Sequence, residues 1–203
     1  MGGELLRRLL RDDTFARVVS IGRRAVPVEH PRLRQLIVDF SALALGAEPV
    51  PDVVLSCLGT TIKKAGSRDA FRAVDRDAVV AFARAARGRG ARVFVHVTAM
   101  GADPRSRVFY SAVKGEVEEM VARLGFESVY ALRPAILDGE RKERRPAERA
   151  MLAVARALGP LLGKYRPTPT GAVADAMIAL GKAPRPGVHV VEAETILSGA
   201  SLA

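Results

Sequence analysis

Residues 91–101, ARVFVHVTAMG, most constrain the fold, because they form a nearly continuous apolar run of strand length. Successive side chains of a strand point to opposite faces, so a strand with a continuous apolar run has both faces covered. This is typical of a parallel sheet flanked by helices. Other strand-like runs lie at 17–22, 34–40, 52–59 and 128–134, and residues 187–197 are expected to form a short strand and a helical turn. We therefore predict an α/β fold with a Rossmann-like, doubly wound parallel sheet.

Apolar residues at helical spacing predict the helices that alternate with these strands. The predicted helices cover 4–11, 71–90, 109–125, 147–159 and 170–182, and glycines mark several of their ends. The loop at 166–170, RPTPT, is expected to be rigid and to lie within the domain. No internal repeat or low-complexity linker interrupts the chain, so we predict one domain over residues 1–203.

The net charge of +10 raises the question of nucleic acid binding. Basic residues are spread along the chain, and the densest cluster, RKERR at 141–145, has no interleaved aromatic residues that could stack on bases. A compositional bias towards arginine explains the charge better, and we predict no nucleic acid partner. A charge of this size still attracts anionic ligands such as nucleotides.

Composition also predicts where the protein works. No apolar run approaches the ~20 residues of a membrane helix, and the N-terminus lacks a secretory signal. Cys57 is the only cysteine, so no intrachain disulfide can form, as in a reducing compartment. We predict a cytoplasmic protein, and we expect Cys57, inside an apolar run, to be a buried structural residue.

Tyr110 and Lys114 are the first candidate catalytic residues. Their i, i+4 spacing near the start of a predicted helix places both on one face, about 5–6 Å apart at Cβ. A lysine ammonium beside a phenol favours the phenolate, so we expect a lowered tyrosine pKa. Such a tyrosine can donate or accept a proton at a carbonyl or alcohol. A chance pairing is the alternative.

Arg23 and Arg24 follow a strand at the position that faces the adenosine ribose in a dinucleotide-binding βαβ unit. An acidic residue there would bind the ribose 2′-hydroxyl, whereas arginine suits a 2′-phosphate. The pair therefore predicts NADP rather than NAD as the cofactor. The alternative is a solvated pair in an arginine-rich protein.

The carboxyl ends of the strands carry further candidates, because ligands of open α/β sheets bind there. Gly59 lets the backbone approach a cofactor, Thr60 or Thr61 can bind its phosphates or ribose, and Thr98 can bind a substrate carbonyl. We expect His96 to be a satisfied core residue. His30, His96 and His189 lie far apart without metal-ligand spacing, so no metal is predicted.

Together these motifs resemble the short-chain dehydrogenase/reductase superfamily, and within it the atypical NADPH-binding branch of the Tat-interacting oxidoreductase homologue. The landmarks occur in the family's order and cover most of the chain: IGRR (21–24), VDF (38–40), CLGTT (57–61), VDRD (74–77), GAD (101–103), YSAVKGEVE (110–118) and LRPAIL (132–137).

The resemblance implies a Rossmann domain that binds NADP and a small-molecule substrate, with a homodimer allowed by analogy. Tyr110 is then the catalytic acid, Lys114 holds the nicotinamide ribose, and Arg23 and Arg24 bind the 2′-phosphate. Other implied cofactor contacts are Gly2, Asp39, Phe40, Leu58, Gly59, Thr60 and Pro134. Related proteins usually carry two serines where this chain has Thr98 and Ala99, so Thr98 must substitute or carbonyl polarisation is weakened.

The start of the chain departs from the family, which begins with a strand and a G-x-x-G-x-x-G loop. Gly2 corresponds to the last glycine of that loop, and the strand and earlier glycines are missing. Our hypothesis is that the recorded start is too late, at a valine codon, GUG, read as a start; a genuine truncation is the alternative. Without that central strand we expect a gap two strand spacings wide, about 4.8 Å each, and poor NADP binding.

Three functions follow from this resemblance. The first is an NADP(H)-dependent oxidoreductase that transfers a hydride to or from a carbonyl or alcohol, with Tyr110 as acid or base. The second is a non-catalytic NADP(H)-binding regulator or sensor, favoured by Ala99. The third is a protein similar to the sugar-nucleotide epimerases and dehydratases of the wider superfamily. The fold alone does not choose among them.

Overall fold

The computed structural model describes residues 1–40, 43, 45, 51–138 and 166–199. Its strands are β1 (Val18–Gly22), β2 (Leu33–Ile37), β3 (Val53–Ser56), β4 (Val93–Val97), β5 (Ser128–Arg133), β6 (Leu137–Asp138), β7 (Thr168–Pro169) and β8 (Gly187–Glu192). Its helices are α1 (Gly2–Arg11), α2 (Ile62–Ala65), α3 (Arg68–Arg72), α4 (Val79–Gly88), α5 (Phe109–Ala122), α6 (Thr170–Lys182) and α7 (Ala193–Ser198). A π-helical turn, Ala73–Ala78, joins α3 to α4.

A four-stranded parallel sheet in the order β3-β4-β5-β8 forms the centre of the fold. In its register, Val95 of β4 lies between Leu55 of β3 and Tyr130 of β5. The predicted α/β class and parallel strands are therefore confirmed. The predicted helix at 147–159 and the basic cluster at 141–145 lie outside the described residues.

Two details differ from the prediction. The loop at 166–170 contains β7, which pairs in parallel with β6 instead of remaining an irregular loop. The predicted helix at 71–90 is the end of a longer helical stretch that begins at Arg68 and is interrupted by the π-helical turn.

Helices cover both faces of the sheet, as the apolar run in β4 requires. Val95 and Leu132 belong to the core that α1 and α6 cover, whereas Phe94 and Val129 belong to the core that α4 and α5 cover. Alternate residues of one strand thus enter two different cores. This arrangement places the carboxyl ends of β3, β4 and β5 at one edge of the sheet.

The two strands at the start of the chain form a separate parallel pair, β1 with β2. Within the described residues, no strand pairs with the free edge of β1 or with the free edge of β3. Between these edges lies a cavity of about 1000 Å³, which we call the strand gap. Its lining includes Leu5, Leu6 and Leu9 of α1, Ser20 and Ile21 of β1, Val54 and Leu55 of β3, and Phe82 of α4. The gap predicted from the sequence is present.

Candidate functional site

A buried ion pair lies at the centre of the candidate site. Lys114 of α5 places its Nζ 2.6 Å from Oδ1 of Asp75, which lies in the π-helical turn. The backbone N–H of Thr60, just beyond β3, donates to Oδ2 of Asp75 at 2.6 Å. The Asp75 side chain is fully buried, and that of Lys114 is 7% exposed. Three separate elements are thus joined through one carboxylate.

Gly59 makes room for this ion pair. A Cβ added at this position would lie 3.1 Å from Oδ1 of Asp75 and 3.6 Å from Nζ of Lys114. Both charged atoms therefore pack directly against the glycine backbone at the end of β3. The sequence predicted Gly59 as a place where the backbone approaches a cofactor, and the structure shows that its missing side chain also serves the ion pair.

Tyr110 lies one turn before Lys114, with its ring 5.9 Å from Nζ of Lys114. The ring packs on Phe71 of α3, with 5.6 Å between centroids. In the described part of the chain, the Tyr110 hydroxyl has no hydrogen-bond partner. The predicted proximity of the two side chains is present, and the hydroxyl is available to another molecule.

The predicted direction of the Tyr110 pKa is wrong. Burial raises the pKa of the phenol, and the negative charge of Asp75 raises it further. The expectation of a lowered pKa considered Lys114 alone, but the ammonium is neutralised by a carboxylate 2.6 Å away. The phenol therefore keeps its proton at neutral pH.

Thr98 has partners other than those predicted. Its buried hydroxyl donates to Oε1 of Glu118 at 2.6 Å, with the carbonyl of Leu132 at 3.2 Å. Glu118 in turn accepts two hydrogen bonds from Arg133, at 2.6 and 3.0 Å. A hydroxyl has one proton to donate, so in this arrangement Thr98 has none for a substrate carbonyl. Ala99 offers no hydroxyl in its place.

His96 is a core residue, as predicted, but it is not satisfied. Both ring nitrogens are buried and have no hydrogen-bond partner among the residues that the structure describes. Burial, and secondarily the charge of Lys114, lowers the pKa of the imidazole to about 3. The ring is therefore neutral at neutral pH. The expectation failed because a partner for a buried side chain cannot be inferred from strand alternation.

The predicted adenosine-binding residues lie at the end of β1. Arg23 and Arg24 follow Gly22 and are exposed to solvent. Gly2 opens α1 close to the end of β3, since a Cβ on it would lie 3.9 Å from Cβ of Cys57. Gly2 and Arg24 both line the strand gap. The structure thus brings the first glycine and one of the two arginines to a common cavity.

The remaining predicted cofactor contacts are mainly packing residues. Phe40 meets Phe82 edge to face, 6.3 Å between centroids, and Leu58 packs against the same core. Asp39 is exposed beside Phe40. Pro134 is buried, and its carbonyl accepts a hydrogen bond from the Met100 N–H at 3.1 Å.

Cys57 is half-buried rather than buried as predicted, because its side chain lines the strand gap. Its thiol lies 3.8 Å from the sulfur of Met177, and burial raises the pKa of the thiol to about 12. The described ranges contain no group of three potential metal-ligating side chains. Among the helices that the structure describes, none is long and apolar enough to cross a membrane.

Asp75 and Glu118 are the functional residues that sequence reasoning missed. VDRD at 74–77 and YSAVKGEVE at 110–118 contain them, but acidic residues in an arginine-rich helix are usually solvated. The useful signal for Asp75 is its helical spacing, because it lies four residues after Phe71 and three before Ala78, and these two buried residues share its helix face. Its partner, Lys114, is visible in the structure alone.

Comparisons with known proteins agree with the fold. No protein-family model matches the chain. The mitochondrial protein fmp52 of Emericella nidulans is 35% identical over 191 residues, which cover 90% of this chain and 80% of the relative. Protein HTATIP2 of Rattus norvegicus is 40% identical over 152 residues, 72% of this chain and 62% of the relative. The structure of MoeE5 in complex with UDP-glucuronic acid and NAD is similar with a TM-score of 0.71 and 18% identity, over 97% of this chain and 76% of that one.

These relatives also correct the predicted location. Fmp52 proteins from several fungi that match this chain are named mitochondrial. The cytoplasmic prediction is therefore wrong. It rested on one cysteine and on the lack of a secretory signal, and neither feature separates the cytoplasm from the mitochondrion.

Proposed function

The chain belongs to the fmp52 and HTATIP2 family, an atypical branch of the short-chain dehydrogenases/reductases, and we propose that it is an NADP(H)-dependent reductase of a carbonyl compound. Tyr110 is the proton donor in this proposal, and Lys114 holds the nicotinamide ribose. The observation that carries it is the free, protonated phenol of Tyr110 beside the buried Lys114–Asp75 pair. Nicotinamide supplies a hydride when the cofactor is bound.

Lys114 can serve Asp75 and a ribose together. An ammonium has three N–H donors, and Asp75 accepts one of them at 2.6 Å. Two donors remain for ribose hydroxyls. Asp75 fixes the direction of the lysine side chain, since its other oxygen is held by the Thr60 N–H. The ion pair therefore orients a lysine that would otherwise sample many rotamers.

The raised pKa of Tyr110 favours reduction over oxidation. A phenol that is protonated at neutral pH can give its proton to a carbonyl oxygen as the carbonyl carbon is reduced. The reverse reaction needs the phenolate, whose formation is opposed by burial and by Asp75. Reduction is therefore expected to persist until the pH rises past the raised pKa, and alcohol oxidation to require alkaline pH.

The residues present fit part of a dinucleotide site at the adenosine side, and because the chain supplies only the last glycine of the expected loop, the expectation of weak NADP binding stands. Gly2, Gly22 and Arg24 line the strand gap at the carboxyl ends of β1 and β3, and Arg23 is exposed next to it. Arg23 and Arg24 would hold a 2′-phosphate with charge-assisted hydrogen bonds. Gly2, at the first turn of the ten-residue helix α1, offers backbone N–H groups to a pyrophosphate.

Changing Tyr110 to phenylalanine tests the proposed chemistry. We expect NADPH-dependent reduction of an aldehyde to fall by about 10²–10⁴-fold, because the phenol proton is lost and the ring packing on Phe71 is kept. NADPH fluorescence should show unchanged cofactor binding. Tyr130, whose hydroxyl is bound by the Arg185 backbone, is the matched control: its change to phenylalanine should spare the reaction. Reduction at the wild-type rate without the Tyr110 hydroxyl would refute its role.

Changing Arg23 and Arg24 to alanine tests the preference for NADP. We expect NADPH affinity to fall at least about 10- to 100-fold, which corresponds to the loss of one charge-assisted hydrogen bond of ~1.5–3 kcal/mol. The affinity for NADH should change little. Titration of both cofactors measures this. Arg84→Ala, on the exposed side of α4, removes the same charge elsewhere and should leave both affinities intact. Equal losses for the two cofactors would contradict a 2′-phosphate site.

One observation favours a second function, an NADP(H)-binding regulator without turnover. The hydroxyl of Thr98 is engaged by Glu118, and Ala99 has none, so carbonyl polarisation lacks a hydroxyl donor at this strand end. Tight NADPH binding with no reduction of any carbonyl by the wild type would favour this function. An epimerase-like activity is the third candidate, because a protein named as a UDP-N-acetylglucosamine 4-epimerase shares the fold, and turnover of a UDP-sugar would support it.

A further inference from the structure

Two arginines of α3 lie against one aromatic ring at the start of α5. The guanidinium carbon of Arg68 is 5.1 Å, and that of Arg72 is 5.0 Å, from the ring centroid of Phe109. The i, i+4 spacing places both arginines on one side of α3. Cation–π attraction holds the two charged groups at this position without neutralising them.

Neither guanidinium has a hydrogen bond or an ion pair in the described part of the chain, and Nε of Arg72 is buried without a partner. Asp69, three residues before Arg72, forms no ion pair with it. Arg76, four residues further along, is by contrast bound to Asp77 at 2.8 Å and to Glu116 at 2.9 Å. Two like charges in proximity and an unsatisfied buried donor are both unfavourable, so the pair is suited to an anion.

The pair lies beside the proposed proton donor. Phe109 immediately precedes Tyr110 in α5, and the ring of Phe71 contacts both, at 5.8 and 5.6 Å between centroids. The carboxylate of Asp75 pairs with Lys114, and that of Asp69 forms no ion pair with either arginine within the described residues. The α3 side of Tyr110 therefore carries two guanidinium groups that no described carboxylate neutralises.

We propose that Arg68 and Arg72 bind an oxyanion carried by the substrate, so that the reduced carbonyl compound is an acidic metabolite. The planar guanidinium fork matches the oxygens of a carboxylate or of a phosphate. Such an anion satisfies the Arg72 donor and removes the repulsion between the two arginines. This inference rests on the proposed function, because Tyr110 supplies the reacting end of the site.

Binding without turnover is the first test. Succinate and inorganic phosphate are added to the wild type, to Arg68→Gln/Arg72→Gln and to Arg84→Gln, and thermal unfolding is followed. We expect one of the anions to raise the unfolding temperature of the wild type and of the Arg84 control, and not of the double variant. A shift with succinate alone identifies a carboxylate site, and one with phosphate alone a phosphate site. Equal shifts in all three proteins would overturn the inference.

Selectivity in turnover is the second test. NADPH-dependent reduction of 4-oxobutanoate, glyceraldehyde 3-phosphate and butanal is compared, as ratios of kcat/KM. We expect the ratio of the preferred charged aldehyde to butanal to fall about 10- to 100-fold in the double variant, mainly through KM. If that variant unfolds, Arg68→Lys and Arg72→Lys keep the charge without the fork and should lower the ratio separately.

The two proposals fail in different ways. No reduction of any aldehyde by the wild type, with an arginine-dependent thermal shift, would reject the reductase function and support the anion site. Reduction that depends on Tyr110, with the same charged-to-neutral ratio in the wild type and the arginine variants, would support the reductase and overturn the anion site.

Discussion

Replacing Lys114 with methionine is expected to lower the free energy of unfolding by about 3–5 kcal/mol, because it leaves a buried carboxylate without its counter-ion. The Asp75 side chain is fully buried and would keep only the Thr60 N–H as a donor. Methionine resembles lysine in length and fills the same space, so lost packing contributes little. Urea unfolding monitored by circular dichroism measures the change.

A double-mutant cycle separates the ion pair from other effects. Asp75→Asn keeps an oxygen for the Thr60 N–H and removes the charge, so adding it to Lys114→Met should recover about 2 kcal/mol or more of the loss. The exposed pair Arg92–Glu127, 3.7 Å apart with both side chains about 60% exposed, is the control. Its own cycle, with Arg92→Met and Glu127→Gln, should give below about 1 kcal/mol. Additive losses at Asp75 and Lys114 would contradict the coupling.

Asp75→Asn alone should also change the pH dependence of Tyr110. The carboxylate raises the pKa of the phenol, so its removal is expected to lower that pKa towards or below the ordinary value of a tyrosine. Difference absorbance against the Tyr110→Phe protein follows this one phenol. Reduction should then be lost at a lower pH in the variant than in the wild type, and an unchanged alkaline limit would show that Asp75 does not act on Tyr110.

The sequence predicted what depends on local pattern. The continuous apolar run of strand length identified β4 as a strand covered on both faces, and the i, i+4 spacing correctly placed Tyr110 near Lys114. The electrostatics of the site depend instead on Asp75, which lies 39 residues from Lys114 in the chain and is brought against it only by the packing of α5 on the π-helical turn. The pKa of Tyr110 was therefore predicted in the wrong direction.

The hydrogen-bond partners of polar side chains could not be predicted from the sequence either. Thr98 lies at the predicted strand end, but its hydroxyl binds Glu118 of α5. That contact depends on the packing of α5 against β4, and no spacing rule expresses it. His96 shows the same limit: its burial followed from strand alternation, whereas its lack of partners did not.

The strand gap is expected to accept an added strand. An apolar strand of about five residues, joined to Met1 through a short glycine-containing loop, is expected to insert between β1 and β3 and to pair with both. β1 has five residues and β3 four, which matches that length. Burial of each apolar side chain, ~1.5–3 kcal/mol, roughly offsets the cost of ordering its residue. The net gain in the free energy of unfolding therefore comes from the hydrogen bonds that the added strand makes to the free edges of β1 and β3, about 1 kcal/mol each.

We expect the added strand to raise the free energy of unfolding by at least about 3 kcal/mol, which corresponds to roughly 6–12 °C in Tm. Thermal and urea unfolding measure the gain. Amide hydrogen exchange locates it, because backbone N–H groups on the gap-facing edges of β1 and β3 should become protected. Stabilisation without that protection would indicate binding elsewhere.

The pattern of the added strand provides the matched control. Apolar side chains line both faces of the strand gap, with Leu5 and Leu6 of α1 on one face and Phe82 of α4 on the other, and charged side chains such as Arg24 and Arg89 also line it. A continuous run of valine and isoleucine therefore suits it, whereas an alternating run with lysine at every second position buries charge on one face. We expect the alternating strand to give no stabilisation. Equal gains from both sequences would mean that the added residues lie on the surface, and that the gap between β1 and β3 does not accept a strand.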